Sequence, residues 1–263
     1  MVAVTGRTSR SLPQVFSDAI EQPERIDRYG GTIVSSIVPT KHLLVDEGSY
    51  FTAATLPAAT SLQLGLSASF SATATALVIQ NTDSPTNAAA KRIFLDYIHL
   101  VVVTAPTSSS AWNYATVLDS VNRAPSTIVA LGSPATGAAY RMPTQNTNMD
   151  LVAPSIAAPY FPASTAGGTP VVVPAAGPNA RTIIGGGQIR STIPIVADDY
   201  RFVFGPADFP FNATPAATVS NIQLVHAPVA LGPGQSFLLY MWGLGNITAG
   251  MAFSNIDMGW WER

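Results

Sequence analysis

Proline and glycine cut this chain into apolar runs too short for long helices and of the right length for strands. There are 21 prolines and 20 glycines among 263 residues. Between them the apolar residues recur with the two-residue period of a half-buried strand, not the 3.6-residue period of a helix. The clearest case is Leu62 to Phe70, where Leu62, Leu64, Leu66, Ala68 and Phe70 share one face. Thr32 to Val38 is β-branched and ends at Pro39, and Thr75 to Gln80 runs into the turn cluster Asn81-Thr-Asp-Ser-Pro. Ile93 to Val103 is the strongest strand signal. Its alternation breaks in the middle, which predicts a central strand buried on both faces.

The last third repeats this pattern. Thr182 to Ile184 and Gln188 to Ile195 flank Gly185-Gly-Gly, which reads as a flexible turn or a bulge. Tyr200 to Phe204, Val219 to His226, and Met251 to Glu262 are further strands. Pro228 to Trp242 contains a β-run, a Gly-Pro-Gly turn at Gly232 to Gly234, and a long apolar strand. Roughly eight to ten strands follow, without the alternating helical segments of a βαβ fold. No repeat of fixed period argues for a propeller or solenoid. The expected fold is all-β: an antiparallel β-sandwich of jelly-roll type, the usual way for strands in this number to cover each other.

Two stretches depart from the strand pattern. Residues 1–30 concentrate charge, from Arg7 and Arg10 to Asp27 and Arg28, and show no two-residue alternation. Pro13 to Ile20 could form one helical turn capped by Ser17 or Asp18. Leu12, Val15, Phe16, Ile20 and Ile26 give this segment more large apolar groups than a solvated tail carries. It is therefore expected to be an extended N-terminal arm that orders on a neighbour, ahead of a single domain at 31–263. Residues 104–180 hold only four charged residues, and nine of the chain's 21 prolines lie between Pro125 and Pro178. Short edge strands such as Ser126 to Leu131, joined by proline-stiffened loops, are expected there. Stiff loops lose little entropy on docking, so this stretch is a candidate contact surface.

Charged residues make up 11% of the chain, against about 25% in ordinary soluble domains. A surface so poor in charge suggests that partners cover much of it. Lys and Arg are scattered, with only Lys91 and Arg92 adjacent among them in the folded domain, so direct nucleic-acid binding is not expected. There are no cysteines, which excludes disulfides, thiolate metal sites and a cysteine nucleophile. No apolar h-region follows the first arginines, and no apolar run is long enough to cross a bilayer. Synthesis and use in the host cytoplasm, without a membrane, are the expectation.

The search for chemistry returns little. His42, His99 and His226 show no metal-ligand spacing and read as structural residues. Neither a nucleophile elbow nor a phosphate loop is present. Asp198, Asp199 and Asp208 form the most suggestive acidic group, yet Asp before a strand is ordinary turn chemistry. Asp46-Glu47-Gly48 reads as a turn before Tyr50 and Phe51. No catalytic, cofactor or metal site is expected. Trp242, Trp260 and Trp261 could form a sugar-stacking platform or serve packing. Being adjacent, Trp260 and Trp261 should face opposite sides of a strand, one into the core and one toward solvent or a partner.

The run Pro228-Val-Ala-Leu-Gly-Pro-Gly-Gln-Ser-Phe-Leu-Leu-Tyr-Met-Trp, with the ending Met258-Gly-Trp-Trp-Glu-Arg, resembles the closing strands of jelly-roll structural proteins from tailed-phage virions. The resemblance implies a non-enzymatic virion component: a capsid decoration or cement protein, often trimeric, that bridges subunits of the major capsid protein on the capsid surface. Its expected interface residues are Leu12, Val15, Phe16, Ile20, Ile26, Trp260 and Trp261. A spike that recognises host-surface carbohydrate is the alternative.

Overall fold

The structure is a computed structural model. It describes residues 40–54, 69–104, 111–129, 138–148, 150, 153–162, 171–176, 180–190, 197–205, 221–244 and 252–263. Leu44–Arg263 is one compact unit. The arm residues Leu12, Val15, Phe16, Ile20 and Ile26, the strand expected at 32–38, and the alternating segment from Leu62 up to residue 68 lie outside the described residues.

One helix, α1 (Thr40–Asp46), is described. It ends where Gly48, at φ 66, donates its N–H to the Val45 carbonyl and Ser49 donates to Leu44. A residue with a Cβ would be strained at that left-handed position, so the turn read at Asp46-Glu47-Gly48 is a helix stop. Sixteen strands follow among the described residues. They are β1 (Tyr50–Ala54), β2 (Ala74–Thr75), β3 (Leu77–Asn81), β4 (Ile93–Thr104), β5 (Ala111–Asp119), β6 (Ile128–Val129), β7 (Ala139–Arg141) and β8 (Thr144–Asn146). The rest are β9 (Ala157–Pro162), β10 (Val171–Val172), β11 (Arg181–Arg190), β12 (Asp199–Phe204), β13 (Asn221–His226), β14 (Val229–Leu231), β15 (Ser236–Leu244) and β16 (Ala252–Glu262). Ten of the described strands have five residues or more, but they are not the same set as the eight to ten read from the sequence. That reading does not single out β1, β5 and β9, and the strand expected at 32–38 and most of that at 62–70 lie outside the described residues. The remaining strands are two- and three-residue pairings that propensity alone does not reveal.

Two seven-stranded sheets result. The first has the order β13-β12-β4-β16-β1-β8, with β14 also paired to β4. The second has the order β11-β5-β15-β3-β9-β7-β6, and β10 with β2 forms a small ribbon. The sheets are not purely antiparallel as expected, because β12 pairs β13 and β6 pairs β7 in parallel. The connection 206–220 is long enough for the crossover that a parallel pair needs.

The two sheets share one apolar core. Ile98, Leu100, Tyr200, Phe202, Met258 and Trp260 enter it from the first sheet, and Leu77, Ile79, Trp112, Phe237 and Leu239 from the second. Aromatic rings bridge the sheets, with Trp112 edge-on to Tyr200 at 4.8 Å, Tyr114 to Phe202 at 5.4 Å and Phe204 to Phe237 at 5.3 Å. Such edge-to-face pairs contribute about 0.5–1.5 kcal/mol each beyond burial.

The second sheet is apolar on its other face too. Val78, Val117, Ala158, Tyr160, Leu238 and Tyr240 form a second cluster, covered by Val171 and Val173. This is why β9 and the centre of β15 read as unbroken apolar runs. It also shows that the described parts of 104–180 are woven into the sheets and are not only short edge strands: β5 lies between β11 and β15, and β9 between β3 and β7. The predicted edge strand near Ser126 appears as β6, at the sheet edge.

Two sequence expectations change for local reasons. Alternation in β4 breaks because of a bulge: Leu95 pairs Trp260 and Tyr97 pairs Gly259, leaving Asp96 as the extra residue. Leu95 and Ile98 can therefore both face the core. The segments on either side of Gly185-Gly-Gly are one strand, β11, with a register shift between Ile183 and Gly185. The extra residue is Ile184, and the three glycines pair in register with Thr116, Ala115 and Tyr114, so they are neither a turn nor the bulge itself.

A buried ion cluster secures the cover on the second sheet. The Asp119 side chain, at the end of β5, is fully buried, and its Oδ2 accepts from Arg123 Nε at 2.7 Å and from Arg181 Nε at 2.9 Å. Arg123 Nη1 also donates to the Ala175 carbonyl, and Arg181 to the Pro174 and Ala72 carbonyls. Burial works to raise the Asp119 pKa, but the two arginine bonds outweigh it and hold the carboxyl below its usual value. Asp119→Ala leaves two guanidinium groups without their anion. The expected loss is about 3–5 kcal/mol, read from the urea denaturation midpoint. Asp119→Asn is expected to lose less, because it keeps an acceptor.

Candidate functional site

The densest set of chemistry-bearing side chains lies on the first sheet, across β12, β4 and β16. Register builds it. His99 on β4 stands directly opposite Arg201 on β12 and Asp257 on β16, while Asp199 sits two residues from Arg201 on the same strand face. The imidazole is gripped from both sides: Nδ1 lies 2.8 Å from Asp257 Oδ2 and Nε2 lies 2.6 Å from Asp199 Oδ1. Flanked by two carboxylates, the ring is held as the imidazolium, Nδ1 by a hydrogen bond to Asp257 and Nε2 by a close ion-pair contact with Asp199. The hydrogen bond to Asp199, then that to Asp257, outweighs burial and pushes the His99 pKa up to about 9.

Two tyrosines extend the cluster. Tyr50 Oη donates to Asp96 Oδ2 at 2.7 Å, which gives the bulged carboxylate a partner where it is buried. Burial, reinforced by Asp96, raises the Tyr50 pKa, and burial with Asp257 raises that of Tyr97. Both phenols therefore stay protonated donors. Their rings lie over Gly259, where an added Cβ would come within 3.0 Å of Tyr50 and Tyr97 atoms. Glycine is needed there for close approach.

The arrangement works as a clip across three strands. A general base needs a nitrogen lone pair facing a substrate, and both His99 nitrogens are already engaged with carboxylates. Among the described residues, no group of three His, Asp or Glu side chains is arranged to hold a metal.

The residues singled out in the sequence separate. Asp198 is buried beside the Tyr200 hydroxyl, and Asp199 belongs to the clip. Asp208 and the His42 side chain lie outside the described residues. His226 lies far from a ligand role, buried among Phe202, Phe204 and Tyr114. Trp260 is fully buried, stacks on Phe51 and donates from Nε1 to Glu262. Trp261 points the other way and stacks on Phe94 at 5.7 Å with planes 8° apart. Trp242 packs with the exposed Phe70 on the other sheet, so the three tryptophans form no common platform. Asp257 was not singled out, because only strand register reveals that it opposes His99.

Comparison with known proteins adds no relative: no family model, curated protein or solved structure matches this chain.

Two outcomes test the clip. A histidine whose pKa is raised in the fold stabilises fully below its unfolded value, about 6.5, and loses that contribution as pH rises to about 9. The melting temperature is expected to fall across that window in the native chain. In His99→Ala stability should be lower at neutral pH by about 1–2 kcal/mol, because water reaches the pair, and the melting temperature should be flat across the window. Gly259→Ala is expected to cost about 1–3 kcal/mol through overpacking, read by chemical denaturation.

Proposed function

We propose that the chain is a non-enzymatic structural protein of a tailed-phage virion, a capsid decoration or cement protein with a jelly-roll fold. The strand order carries this reading. Taken in chain order, β1, β3, β4, β5, β11, β12, β15 and β16 fall in the first or second sheet as one-two-one-two-two-one-two-one. Within the sheets they lie as β12-β4-β16-β1 and β11-β5-β15-β3. This order supports the winding of an eight-stranded jelly roll, a fold used by viral capsid domains, lectins and cupins.

The use of charge favours the capsid branch. Of the few ionic groups, Asp119, Arg123, Arg181, Asp199, Asp257 and Glu262 are spent on contacts within the fold. The surface is thus poorer in free charge than the composition implies, which suits burial against neighbouring subunits. A cupin site would need converging ligands, whereas His99 lies on the strand face away from the core and His226 lies against the core.

The mechanism is bridging: a neutral domain surface docks on the major capsid protein in a homotrimer, and residues 1–30 lash onto a neighbour. An extended segment of that length reaches up to about 100 Å, enough to cover the roughly 1,200–2,000 Å² that a stable contact buries. The alternative, a spike that binds host carbohydrate, takes its support from the stacked, half-buried Phe94 and Trp261.

Deleting residues 1–30 is expected to leave the melting temperature unchanged while weakening self-association and capsid binding. Sedimentation and electron microscopy of the chain mixed with capsids measure this. A full-length chain that stays monomeric and ignores capsids, but saturates on a glycan array, would favour the spike.

A further inference from the structure

His226 ends the edge strand β13, which pairs only with β12 among the described strands. Its ring is packed on every described side. Phe202 and Phe204 of β12 stack on it at 6.0 and 5.6 Å, and Tyr114 of β5, from the opposite sheet, meets it edge-on at 5.6 Å. From β11 the ring is met by backbone alone: a Cβ on Gly185 would fall within 3.0 Å of its Nδ1, and Thr116 Oγ1 is a further neighbour of that point. The residue is 8% exposed, and Nε2 is buried without a hydrogen-bond partner.

Stacked aromatic faces attract a cation, but burial with no carboxylate in contact outweighs that attraction and favours the neutral ring. The titratable group that faces it from β5 is Tyr114, whose hydroxyl burial keeps protonated. β12 presents two phenylalanines and β11 a glycine, so no carboxylate among these contacts offsets a new positive charge. Of the charged residues of β12, Asp199 is engaged at the clip and Arg201 stands in register opposite His99, not here. Burial accordingly lowers the His226 pKa.

We propose that His226 is an acid-sensitive latch: taking up a proton drives its ring from the aromatic cage, and β13 then releases from β12. The seam between the sheets opens at that edge while the β4–β16 and β5–β15 ladders stay closed. The sign is fixed by linkage. A histidine whose pKa falls on folding binds more proton when released, so closure weakens as pH drops below about 6.5. His99 cannot produce this effect, because its contribution changes only above that pH. The latch rests on the sheet geometry and is independent of the virion reading.

The test uses the full chain. Amide hydrogen exchange is compared at about pH 7.5 and about pH 5, corrected for the intrinsic pH dependence of exchange. Opening of residues 221–226 is expected to rise roughly tenfold per pKa unit of depression, with β15 unchanged. His226→Phe keeps an aromatic ring without a proton site and should abolish the rise. Direct NMR titration of the His226 ring in the native chain provides a second measurement, independent of how the variant folds. An ordinary titration near 6.5 with β13 closed throughout, or an undiminished rise in His226→Phe, overturns the proposal.

Discussion

A sheet that is apolar on both faces has to be covered twice, and most of this structure follows from meeting that need for the second sheet. One cover is the first sheet, applied through a seam of aromatic rings. The other is the segment around Val171 and Val173. That segment has few hydrogen bonds of its own, since β10 is only two residues long. It is held by Arg123 and Arg181 reaching its carbonyls from their shared carboxylate, Asp119. The polar cluster is stable because its carboxylate meets two cations and a backbone N–H, so its burial is compensated.

The first sheet is organised differently. Its core face is apolar, but its other face carries His99, Asp257, Asp199 and Asp96, each paired with a neighbour across a strand. The two described histidines with shifted pKa values therefore act in opposite directions. His99 is stabilising while charged and His226 while neutral. Their contributions meet near neutral pH, which places the most stable form of the fold between the two transitions.

Much of the fold was readable from the chain because strand periodicity is a local property. The Gly-Pro-Gly turn, the strands at Tyr200 and Met251, and the opposed tryptophans follow from neighbouring residues alone. What could not be read depends on partners far apart in sequence. Asp257 is 158 residues from His99, and no spacing rule links them. The bulge at Asp96 could be mistaken for two-sided burial because both disturb alternation in the same way. The parallel pairing of β12 and β13 and the two-residue strands depend on tertiary context that overrides propensity.

The positions of β15 and β16 have a consequence for how the chain is made. β15 fits between β5 and β3, and β16 between β4 and β1, so each sheet receives one of its central strands only after the strands on both sides of it have been made. While the chain emerges from a ribosome, the earlier strands have unpaired flanks and wait more than a hundred residues for the partner that joins them. Contacts of such long sequence separation form slowly, and open strand edges invite pairing with other chains meanwhile. Crowding on a polysome, more than the strength of the finished fold, would then set how much correctly assembled protein a cell obtains.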